Sequence, residues 1–202
     1  MKRQFVRPSK RSLGRPRVTP HVGDVFEMAL DDELRAFGQV VALTPYTNVF
    51  VAIFKSVTRL TDAPPPPAAI VADDIDLLLN TMPVELEEGG WRVLGNVTPD
   101  YRRIPRPAYI VRTQEGLMVE SFDAQRSRPA TATEIERLDH RDTYSPGLVR
   151  SAVAALHGRK GLDKFADVPV LTAFERVKRL VDELPFERSW DAAPSEAGDG
   201  RA

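Results

Sequence analysis

The chain has 202 residues, of which 42% are apolar and 28% charged, and a formal net charge of −1. This is globular composition with material for one sizeable core. It has no cysteine, which excludes a disulfide scaffold, a thiolate metal site and a cysteine nucleophile. No apolar run approaches the ~18–20 residues that span a bilayer, and the basic N-terminus lacks the apolar stretch of a signal peptide. A soluble, cytoplasmic protein is expected, with no membrane partner.

The net charge hides a split. Residues 1–20 hold seven basic residues (Lys2, Arg3, Arg7, Lys10, Arg11, Arg15 and Arg17) and no acid. Residues 21–202 are left with 21 basic against 29 acidic residues, about −8. The sequence reads as a flexible basic arm (1–20), a β-rich domain (21–142), a helical extension packed on it (143–188) and a disordered tail (189–202).

Order is expected from Val22 onward. Gly23 to Leu30 alternates, with Phe26, Met28 and Leu30 on one face, the pattern of a half-buried strand. Asp31-Asp32-Glu33 is a polar turn. Leu34 to Leu43 is a second strand, with Ala36, Gly38, Val40 and Ala42 on one face, and Gly38 marks a bulge or a close backbone approach. Val49 to Phe54 is a continuous β-branched and aromatic run, expected to be a central strand buried on both faces. Three strands with short connections make an antiparallel meander.

Pro64 to Pro67 predicts an extended surface loop. The stretch from Ile70 to Leu79 reads equally as a strand or a short helix. Glu87-Glu88-Gly89-Gly90 is a turn before a strand that carries Trp91 and Val93 inward. Ala108–Arg112 and Leu117–Phe122 flank Gln114-Glu115-Gly116 as a hairpin. The period then changes. Thr131 and Glu134 have capping-box spacing ahead of Ile135 and Leu138. Ser145-Pro146 starts a helix with Leu148, Val149, Ala152, Val153 and Leu156 on its apolar face, closed by Gly158. Leu171, Phe174, Val177, Val181 and Leu184 form a further stripe before Pro185. Strands first and helices afterwards give an α+β class: an antiparallel, barrel-like sheet built from the N-terminal meander and the later hairpin, then C-terminal helices.

Signatures of chemistry are missing. There is no phosphate-binding glycine loop, serine elbow or zinc-protease helix. His140-Arg141-Asp142 matches three letters of a kinase catalytic loop without its other parts. Asp73, Asp74 and Asp76 lack the alternating ligand frame of a calcium loop. No cofactor, metal or catalytic residue is assigned, and a non-enzymatic protein is expected. Trp91 reads as a core residue or as an interface anchor.

The order of motifs carries more information than any one of them. Gly23-Asp24 with its alternating strand, a polar turn, then Phe37-Gly38-Gln39-Val40-Val41 resembles the opening of the immunity protein 26 family of bacterial polymorphic toxin systems. The run Val49–Phe54 sits where that family has its next strand, Gly90 to Asn96 resembles its Trp-containing strand ending in Gly-Asn, and Ala132 to Leu138 resembles its helical end. The resemblance covers roughly residues 20–140. It implies an inhibitor that binds and neutralises a cognate toxin. Nuclease toxins are commonly basic because their substrate is a polyanion, and an acidic body would be steered toward one. Asp31, Asp32, Glu33, Asp73, Asp74, Asp76, Glu87, Glu88 and Trp91 are the toxin-binding candidates. The alternative is a nucleic-acid-associated small β-barrel using Lys2, Arg3, Arg7, Lys10, Arg11, Arg15 and Arg17.

Overall fold

A computed structural model describes residues 18–159 and 172–184. The basic arm up to Arg17, Leu171, Pro185 and the expected tail lie outside the described residues.

Five strands form one antiparallel sheet: β1 (Asp24–Ala29), β2 (Leu34–Leu43), β3 (Val49–Arg59), β4 (Ile75–Thr81) and β5 (Arg92–Asn96), in the order β4-β3-β2-β1-β5. Three more form a second antiparallel sheet: β6 (Ala108–Thr113), β7 (Gly116–Ser121) and β8 (Ser127–Pro129), in the order β6-β7-β8. The helices are α1 (Pro67–Val71), α2 (Val84–Glu87), α3 (Ala132–Arg137), α4 (Pro146–Leu156) and α5 (Phe174–Glu183). The class is α+β with antiparallel sheets, as the pattern of elements predicts. The sheets are open rather than closed: β4 and β5 end the strand order, and the outer edge of β4 is met by isolated bridges from Ala173 to Leu77 and from Tyr144 to Thr81.

Both faces of the large sheet are covered. Phe26, Met28, Val40, Val51, Ile53 and Leu79 pack on one side against Leu86 of α2, Trp91, and Val149, Ala152 and Val153 of α4. Val25, Phe37, Val41, Phe50, Phe54 and Leu78 pack on the other against Ile70 of α1, Ile104, Phe122 beyond β7, and Val177 of α5. This corrects the expectation that β1 is half-buried, because Val25 and Phe26 are both fully buried. Alternation finds a strand's two faces, but only the rest of the chain decides whether both are covered. A register shift between Val40 and Ala42 turns Ala42 away from the Phe26 side to join Val41 on the other, as a bulge does.

Gly38 shows why its position takes glycine. A Cβ there would lie 2.9 Å from Phe26 Cε2 and 2.9 Å from Ile53 Cδ1, distances that a packed core does not accommodate. The space goes to the Phe26 ring, on which Trp91 stacks at 4.9 Å between centroids and 5° between planes. Gly23 and Asn96, which open and close the two motifs that carry the family resemblance, meet in space. Asp24 pairs with Asn96 across β1 and β5, and Asn96 Nδ2 donates to Val22 O at 3.0 Å and Asp24 Oδ1 at 2.9 Å. Gly23 has a φ of 95°, and a Cβ would fall 2.6 Å from Asn96 Oδ1. Glycine fits this left-handed, close-approach position and other residues do not.

Local rules account for several boundaries. Thr131 and Glu134 form the expected capping box on α3. Leu138 becomes the C-cap and is buried, while Ile135 is 41% exposed, so the two do not share a buried face. Ser145 caps α4, accepting from the Leu148 N–H at 3.3 Å with Pro146 in the first turn. Leu156 of its expected apolar face is 44% exposed. The proline run is extended only to Pro66, and Pro67 starts α1, a first-turn position where a missing N–H costs nothing. Ile70 therefore belongs to a helix and Ile75–Leu79 to a strand. Glu87, expected in a turn, ends the one-turn helix α2.

Candidate functional site

The sheet topology collects the three acidic segments at one end. The turn carrying Asp31, Asp32 and Glu33 joins β1 to β2, and Leu34 pairs with Arg59 at the far end of β3. β4 begins part-way along β3, with Ile75 opposite Phe54 and Asp73 bonded to Ser56, which puts Asp73, Asp74 and Asp76 toward the same end but short of Arg59. β5 begins there too, with Arg92 opposite Glu27, and Glu87 and Glu88 lie four to five residues earlier, at the end of α2, whose Leu86 packs on the face of the sheet. Antiparallel alternation of chain direction does this: one β1–β2 turn and two strand starts all face the same way.

The carboxylates at this end are not equivalent. Asp31 Oδ1 accepts from the Glu33 and Leu34 N–H groups, each at 2.8 Å. These bonds, with Arg159 nearby, hold its carboxyl below the usual carboxylate range. Arg159 reaches Asp31 at 3.2 Å and Glu33 at 3.2 Å. Burial acts to raise the Asp73 pKa, but hydrogen bonds from Ser56, one of them the N–H at 2.7 Å, hold it below the usual range. Lys55 lies 3.6 Å from Asp74. Glu88 is exposed. Among the described residues, the side chains of Asp32, Asp76 and Glu87 have no ion-pair or hydrogen-bond partner. They are the carboxylates of these segments that no described cation contacts directly.

Trp91 is not part of that surface. It is 3% exposed, and its N–H end of the chain is tied down by a bond from the Trp91 backbone N–H to Glu85 O at 2.8 Å. Of its two readings, core residue is the one the packing shows. The alternative set Lys2, Arg3, Arg7, Lys10, Arg11, Arg15 and Arg17 lies outside the described residues.

At the junction between the two sheets is a polar centre that local sequence did not announce. Arg141 Nε lies 2.7 Å from Glu120 Oε2, with side chains 7% and 4% exposed. The guanidinium also donates to Phe122 O at 3.1 Å and to Ser121 O, and sits 4.8 Å over the Tyr109 ring. The Tyr46 hydroxyl donates to Glu120 Oε1 at 2.8 Å, and that bond raises its pKa. Burial pushes the Tyr109 pKa up as well. Arg141, the middle of the apparent kinase triplet, is thus the cation that neutralises a buried glutamate of β7, and the Tyr46–Glu120 bond fastens β7 to the β2–β3 turn. The other clue available in sequence was weaker still: Tyr46 is 74 residues from its partner.

Among the described residues no group of three or more His, Asp or Glu side chains is placed to hold a metal ion. No described helix is long and apolar enough to cross a membrane. No protein-family model, no curated protein and no solved structure matches this chain.

Proposed function

We propose that this chain is a binding protein that acts through the acidic end of its five-stranded sheet on a basic protein partner. The particular reading is a non-enzymatic bacterial immunity protein, whose partner is a cognate toxin of the nuclease type. The observation that supports it is that three sequence-distant acidic segments lie toward one end of the sheet, spread across it from β4 to β5, and that Asp32, Asp76 and Glu87 make no ion pair among the described residues. Such a surface focuses a negative potential and steers a cationic partner into encounter. It also occupies the cationic surface that a nuclease needs for its polyanionic substrate. The family resemblance of residues 20–140 supports the same reading, and its Gly-Asp and Gly-Asn motifs build the β1–β5 pairing at the end of those strands opposite the acidic one.

The test is co-expression with toxins encoded in the same gene neighbourhood. Protection of the host by this chain, and co-purification of the pair, is the expected result. Equal killing with and without it contradicts the reading. Capture by duplex DNA of the full chain, lost on deleting residues 1–20, would favour the nucleic-acid alternative instead.

A further inference from the structure

The outer edge of β4 is only partly covered. Ala173 meets it at Leu77 and Tyr144 meets it at Thr81. Between those two bridges Leu78 and Leu79 line a cavity of about 230 Å³. Leu138 and, from α5, Val177, Leu180 and Val181 give it a largely apolar wall. Apolar side chains that border an unfilled volume forfeit their contacts on that side, and folded interiors keep few such volumes. An edge strand left open also invites pairing with another chain.

Where the described chain stops says what fills the gap. Leu184 caps α5 and packs on the cluster that contains Leu138. Leu180 and Val181 lie about one helical turn before it, so the chain leaves α5 one turn from the cavity. The sequence that follows opens on Pro185, a residue that stops helices, and carries two aromatic residues, Phe186 and Trp190. Trp190 is six residues past Leu184, a reach of up to ~20 Å, which allows a reversal back to the cavity. Phe186 is two residues past it, with at most ~7 Å, too little to turn and return. Size agrees with the choice. A dry aliphatic cavity of about 150 Å³ holds one benzene ring, so a larger one suits an indole. Charge agrees as well. Asp142 borders the cavity, is exposed and makes no ion pair among the described residues, and Arg188 stands two residues before Trp190.

We propose that Trp190 docks in this cavity, its indole between β4 and α5 and Arg188 against Asp142, so that the chain after α5 folds back over the open edge of β4. The contact is separate from the acidic end, and its failure would leave the protein-binding reading intact.

The chain has two tryptophans, Trp91 and Trp190, which makes the test direct. The full chain is labelled with fluorotryptophan and followed by fluorine NMR, with methyl spectra of the same protein. Trp190 should be as insensitive as Trp91 to exchange of water for heavy water, and its ring should displace the Val177 and Val181 methyl signals. Trp190→Ser should abolish that displacement and leave the Trp91 signal in place. Val181→Phe, which occupies the cavity, should return Trp190 to the solvent sensitivity of the urea-unfolded chain, again with Trp91 unmoved as the sign of an intact fold. A Trp190 signal as solvent-sensitive in the native chain as in urea overturns the proposal. So do methyl signals that Trp190→Ser does not move. A contact that is lost on dilution overturns it too, because the indole then belongs to a second copy.

Discussion

Two sets of carboxylates look alike in a charge count and differ completely in the fold. At the acidic end, Asp32, Asp76 and Glu87 make no ion pair among the described residues. At the sheet–sheet junction, Glu120 is buried, held by Arg141 at 2.7 Å and by the Tyr46 hydroxyl at 2.8 Å. In the first set Asp32 is exposed and Asp76 and Glu87 are half-buried, so its field reaches solvent and acts at long range. The second is neutralised inside, where its worth is the geometry it imposes. A net charge therefore says less about a partner than the list of charges the fold leaves unpaired.

The junction gives the largest effects. Arg141→Ala leaves Glu120 buried without a cation, a change that costs about 3–5 kcal/mol. Urea unfolding should show it, and the double variant Glu120→Leu/Arg141→Leu should recover most of the loss. If the single and double variants are equally unstable, the ion pair is not what matters there. Trp91→Ala removes the ring stacked on Phe26 and should cost about 3–4 kcal/mol. As Trp91 is a core residue, toxin protection should fall only in step with the folded fraction.

An intermediate effect comes from Glu134, whose oxygens meet Arg128 at 2.5 and 2.9 Å. Arg128 and the Thr131 cap hold its pKa down to about 2, despite burial that acts to raise it. A depressed carboxylate pKa stabilises the fold above its ordinary value, and that contribution is lost as pH falls from about 4.5 toward 2. The loss should be about 2 kcal/mol, measured by unfolding as a function of pH. Glu134→Gln keeps the capping box but should flatten the curve in this window. An unchanged slope would show that Arg128 does not hold the carboxylate. The smallest stability effect belongs to the acidic end, where Asp32→Lys should move unfolding by no more than about 0.5 kcal/mol.

The strands were legible because their cues are local. The β-branched run Val49–Phe54, the Gly116 hairpin and the Thr131–Glu134 box each state their structure within a few residues. What sequence left open depends on residues far along the chain. β1 looks half-buried until α4 and the second sheet supply a cover for each face. Arg141 looks like a stray motif until Glu120 is folded against it. The acidic segments were visible one at a time, but only the strand order places them at one end. Trp91, the side chain with most to offer a partner, is already committed to Phe26.

The most direct test of the account is a triple charge reversal, Asp32→Lys, Asp76→Lys and Glu87→Lys, assayed for toxin protection beside its own unfolding curve. The account predicts a protein that unfolds cooperatively near the unmodified midpoint and no longer protects, with the unmodified pair's association slowing as salt rises. A folded triple variant that protects as well as the unmodified chain would contradict it.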